Sequence, residues 1–68
     1  MSKDKEFLIK NTYNKIKASD PKRLDYLANI YRSNCGYSEG IVDGLDAIIN
    51  FIVFNKYSID EILHGSLS

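Results

Sequence analysis

SEGIVDGLDAIINFIVFN, residues 38–55, decides how the rest of this chain folds. On a helix at about 100° per residue, Ile41, Leu45, Ile48 and Ile52 share one stripe, with Val42, Ile49 and Val53 beside them. Gly40, Gly44, Ala47, Phe51 and Phe54 fall on the other flank, leaving Glu39, Asp43, Asp46 and Asn50 as a narrow polar strip. A surface helix of a globular protein carries a narrower apolar face than this. Helix 3 is therefore predicted to be wrapped by the rest of the chain or by a partner. Residues 48–54 are also rich in strand formers, but no second stretch is patterned to pair with them, and that favours the helix.

Working outward, residues 5–18 repeat at helical spacing: Leu8, Ile9, Thr12, Tyr13 and Ile16 share a face, and Lys10, Asn14 and Lys17 share another. Phe7 falls outside the apolar arc and is expected to close over an end of the core, the alternative being an exposed contact. Ser19-Asp20-Pro21 breaks the helix and restarts it, with Asp20 as N-cap and Pro21 at the first helical position. A second helix over 21–34 follows, its inner face lined by Leu24, Leu27, Ala28, Tyr31 and Cys35, with Tyr26 and Ile30 to one side. Gly36 supplies a left-handed stop, and Ser38 caps a third helix over 38–55. Ser58-Ile59-Asp60-Glu61 has the form of a capping box and opens a short fourth helix over 59–64, ended by Gly65. The expected fold is all-α: a small three-helix bundle with a short fourth C-terminal helix, helix 3 central, and frayed ends at 1–4 and 66–68.

A chain of 68 residues is one domain with a small core. With 44% hydrophobic and 26% charged residues, it is globular rather than disordered. The single cysteine excludes an internal disulfide, and no secretory leader is visible, so a cytoplasmic location is expected. The apolar run 41–54 is interrupted by Asp43, Asp46 and Asn50 and falls short of the roughly 20 residues that span a bilayer, so no membrane association is expected. The net charge is zero, yet unevenly placed: residues 1–32 carry eight basic side chains against four acidic, and residues 33–68 one against five. Such halves either attract each other within the fold or leave a basic patch, here Lys10, Lys15, Lys17, Lys22, Arg23 and Arg32.

Sequence motifs with chemistry in them are few. Gly36-Tyr37-Ser38-Glu39-Gly40 matches G-x-S-x-G, but a nucleophile elbow needs a preceding strand, a large sheet and acid and histidine partners. An N-cap accounts for Ser38, and no catalytic residue is assigned. Cys35 and His64 together are too few ligands for a structural zinc site. Glu39, Asp43 and Asp46 lack a calcium-loop pattern. No metal and no cofactor is expected.

The sequence thus points to a non-enzymatic protein–protein interaction module, a regulator or inhibitor of the antirepressor, immunity-protein or adaptor kind by analogy. The predicted interface is the flank of Gly40, Gly44, Ala47, Phe51 and Phe54, with Tyr26 and Ile30, meeting a larger protein or a second copy. Gly44 would mark the closest helix approach. The alternative is a small DNA- or RNA-binding regulator using the basic helix 1–2 region, weakened by the neutral net charge.

Overall fold

A computed structural model describes residues 3–35 and 42–67, which form four helices: α1 (Lys3–Ser19), α2 (Lys22–Cys35), α3 (Gly44–Val53) and α4 (Ile59–His64). No strand occurs among the described residues. The all-α expectation holds, and three of the four helices lie within about two residues of their predicted bounds. α1 begins at Lys3, so residues 3 and 4 are helical rather than frayed. Asp4 and Glu6 in its first turn and Lys17 in its last suit the helix dipole.

The break between α1 and α2 falls where Pro21 requires it. Asp20 N–H donates to Ile16 C=O at 2.8 Å, closing α1. The Asp20 and Pro21 carbonyls accept from the N–H groups of Arg23 and Leu24 at 3.0 and 3.1 Å, opening α2.

α3 departs from the sequence reading at its start. It begins at Gly44, not near residue 38. Asp43 is the N-cap: Asp46 N–H donates to Asp43 Oδ1 at 3.0 Å, and Asp43 N–H reaches Asp46 Oδ2 at 3.5 Å. Asp43-x-x-Asp46 carries the reciprocal carboxylate that a capping box needs, whereas Ser38 has Ile41 in that place. Val42, just outside α3, is buried, and its carbonyl accepts from Arg32 Nη2 at 2.7 Å, which fixes it outside the helix. Ser38, with its predicted cap, and the predicted stop at Gly36 lie outside the described residues.

The far end of α3 stops at a Schellman motif. Asn55 takes φ 52, Lys56 N–H donates to Phe51 C=O at 3.0 Å, and Asn55 N–H to Ile52 C=O at 3.2 Å. Asparagine is one of the few residues other than glycine that tolerates this left-handed conformation. α4 opens as predicted: Glu61 N–H donates to Ser58 Oγ at 3.2 Å, and Ser58 N–H to Glu61 Oε1 at 3.0 Å.

The core joins α1 (Ile9, Ile16), α2 (Leu27), α3 (Ala47, Ile48, Phe51, Ile52), α4 (Ile62) and Leu67. Phe51 is fully buried between two edge-on rings, Tyr31 at 6.2 Å and Tyr57 at 4.9 Å between centroids. Such pairs contribute about 0.5–1.5 kcal/mol beyond area burial. A ten-residue α3 presents less apolar surface than an eighteen-residue one, and α1, α2, α4 and the tail cover it.

The tail is the second correction. Leu67 is not frayed but buried, and Tyr26 Oη holds its backbone from both sides. The hydroxyl donates to Leu67 C=O at 2.8 Å and accepts from Leu67 N–H at 2.7 Å.

Candidate functional site

The structure separates the predicted interface residues into three groups. Ala47 and Phe51 are fully buried inside this one chain, and Gly44 is buried against α2. A Cβ on Gly44 would sit 2.6 Å from Leu24 Cβ, 2.8 Å from Leu24 O and 2.9 Å from Leu24 Cα. The close approach that the glycine promised is therefore real within the chain, where α2 makes it. Tyr26 and Ile30 are half-buried and pack on the core, and Tyr26 is further occupied by Leu67. Only Phe54 of this set is exposed, at 66%; Gly40 lies outside the described residues.

Phe7 takes the less expected of its two places, an exposed position instead of a cover over the core. Phe7 is 69% exposed, because Ile9, Thr12 and Ile16 set the inward face of α1 and Phe7 projects away from it. Its position outside the apolar arc was the signal. Lys5, two residues before Phe7, donates from Nζ to Val53 C=O at 3.3 Å and joins the start of α1 to the end of α3, one residue before Phe54.

The basic residues divide between internal and external roles. Arg23 Nε donates to Ile62 C=O at 2.6 Å, and its Nη2 to Glu61 C=O at 2.8 Å and Gly65 C=O at 2.6 Å. The guanidinium also lies 5.3 Å from the Tyr26 ring centroid. This is a C-cap for α4 supplied from α2, a cation set on the negative end of a helix dipole. Arg32 binds Asn29 Oδ1 at 2.9 Å besides Val42 C=O, and Lys5 does for α3 what Arg23 does for α4. The basic and acidic halves of the chain thus meet through side-chain cations and backbone carbonyls.

Both arginines of the chain are engaged in this way. Of the other predicted patch residues, Lys10 pairs with Glu6 at 3.9 Å on the exposed surface, a contact worth little, and Lys17 lies 5.8 Å from the Tyr13 ring centroid. Lys15 and Lys22 are exposed on either side of the α1–α2 turn. They flank clefts that Asp20, Arg23 and His64 line in common.

Among the described residues, no group of three or more His, Cys, Asp or Glu side chains is placed to hold a metal ion. Ser38 and Glu39 lie outside them, so the pentapeptide and the Glu39 end of the acidic strip have no geometry to report. No helix among the described residues is long and apolar enough to cross a membrane. Among the described residues, two buried polar atoms have no hydrogen-bond partner, Thr12 Oγ1 and Asn50 Oδ1, and neither side chain lines the clefts flanked by Lys15 and Lys22. Neither a protein-family model, nor a curated protein, nor a solved structure matches this chain.

Proposed function

We propose that this chain is a small non-enzymatic module that acts as a regulator or inhibitor by occupying the surface of a larger protein. The observation that carries this is the pair Phe7 and Phe54. They are the large hydrophobic side chains left exposed among the described residues, in a fold that buries a full core elsewhere. Each stands within two residues of the Lys5–Val53 bond that joins α1 to α3. Aromatic side chains bury about 150–250 Å² each and are common anchors of protein interfaces. The interface is thereby moved from the glycine flank of α3, which α2 covers, to the end of the bundle where α1 starts and α3 stops.

Nucleic-acid binding is the second reading, supported by the exposed lysines of α1 and the start of α2. It is disfavoured because Arg23 and Arg32, the side chains best suited to phosphate and base contacts, are engaged with the chain's own carbonyls.

Affinity capture with the full chain and with a Phe7→Ser/Phe54→Ser double variant tests the proposal, with light scattering to detect self-association. The parent is expected to retain a protein, or a second copy, that the variant releases while both give the same helical circular dichroism. Equal retention by both, or heparin binding with a steep salt dependence, would refute it.

A further inference from the structure

At the opposite end of α1 from Phe7, the α1–α2 turn meets the C-terminal end of α4 along two adjoining clefts of about 480 and 410 Å³. Asp20, Arg23 and His64 line both. Lys15 belongs to the first cleft, together with Ile16 and Leu63, and Lys22 belongs to the second. Among the described residues, neither the Lys15 nor the Lys22 ammonium has a hydrogen-bond or ion-pair partner. Arg23 spends Nε and Nη2 on three α4 carbonyls, so it adds a fixed positive charge to the clefts but not the free fork of donors that a phosphate or base contact uses, and the pairing falls to Lys15 and Lys22. Three permanent cations thus face one carboxylate. Elsewhere the exposed charges are of both signs, Asp25, Asp43, Asp46, Asp60 and Glu61 beside Lys3, Lys10, Lys17, Arg32 and Lys56, so the cationic excess is local to the clefts.

Building on the protein-binding reading, we propose that this double cleft is a docking site for an acidic, apolar-containing segment of a partner protein. Carboxylates of the segment pair with Lys15 and Lys22 on either side of Asp20, and an apolar side chain rests against Ala18 and Leu63. Charge complementarity selects the occupant. Asp20 lines both clefts and interrupts the continuous positive track that a phosphate backbone requires, while separate carboxylates can straddle it. The Ala18 and Leu63 lining, unlike the buried Ile16 beneath it, is open to an apolar side chain and offers nothing to a phosphate.

The test is an amide-resolved NMR titration of the full chain with the blocked hexapeptide ELEELE, beside an oligothymidylate of equal charge. ELEELE is expected to shift the amides of residues 15–23 and 63–66. Lys15→Glu with Lys22→Glu is expected to weaken that binding at least about tenfold without loss of helicity, since both side chains are exposed and each reversal turns attraction into repulsion. Three results would each overturn the proposal: no shift at ~1 mM peptide, the weak end of measurable affinity; shifts at Phe7 and Phe54 instead; or tighter binding of the oligothymidylate at the same amides. The phenylalanine capture experiment is decided separately. A partner lost with Phe7 and Phe54 but indifferent to the lysine variant removes the cleft and keeps the protein-binding role. A peptide bound in the cleft, with no partner captured, does the reverse.

Discussion

Gly44→Ala puts the packing of α2 on α3 to a direct test, because two effects of opposite sign meet at one atom. Alanine is the better helix former by up to about 1 kcal/mol, partly by restricting the unfolded chain. At the first helical position, where Asp43 already caps α3, the gain is smaller. Against it stands the new methyl, 2.6 Å from Leu24 Cβ and within 3 Å of the Leu24 Cα and carbonyl oxygen. Two of those three atoms are backbone, so no rotamer change relieves the contact and α2 and α3 must part. Overpacking of this kind costs about 1–3 kcal/mol. The net expectation is a loss of about 1–2 kcal/mol, or roughly 5–15 °C in Tm for a domain of this size. Thermal unfolding followed by circular dichroism measures it. The loss should be the same at two protein concentrations an order of magnitude apart, because the contact lies within one chain. A variant as stable as the parent would refute the packing, and a loss that shrinks on concentration would return Gly44 to an interface between chains.

Thr12→Val should stabilise the protein by about 1 kcal/mol in urea unfolding, since it removes a buried hydroxyl without a partner and keeps the β-branched shape; a loss of stability would mean the hydroxyl is bonded after all. Tyr26→Phe should cost about 1–2 kcal/mol, because it leaves the Leu67 N–H and C=O without their shared partner. Amide exchange at Leu67 should rise in that variant, and unchanged exchange would show that the tail is held by packing alone.

What was legible in the sequence was what neighbouring residues decide. The box at Ser58 and Glu61 is complete within four residues, and it formed where it was read. The break at Pro21 is similarly local. The start of α3 was misread because hydrophobic spacing continues unbroken through Ile41, Val42 and Leu45 whether or not the backbone there is helical. The deciding signal was present: Asp43 and Asp46 stand three apart, but as part of a polar strip they looked like an exposed face rather than a cap. Phe51 and Phe54 show the limit of a helical wheel. They share a flank on paper, yet α3 stops at Val53, so Phe51 enters the core and Phe54, already the C-cap, turns outward. Leu67 and the roles of Arg23 and Tyr26 were not legible, since each depends on a partner about forty residues away. The candidate site suffered most, because exposure, which decides it, is a property of the finished fold.

The clasp of Arg23 and Tyr26 on the chain's last turns also sets an order in time. α4 has six residues, too few to persist as a helix alone in water. Its carbonyls and the Leu67 backbone are gathered by two side chains one turn apart on α2, made long before residues 61–67 exist. Until that clasp forms, α1, α2 and α3 can pack around Phe51 only with Ile16 and Leu27 lacking the cover of Ile62 and Leu67. The cover that Ile62 and Leu67 give the core therefore depends on how firmly two residues of α2 hold 61–67, and loosening either hold is expected to open that segment without unpacking α1, α2 and α3.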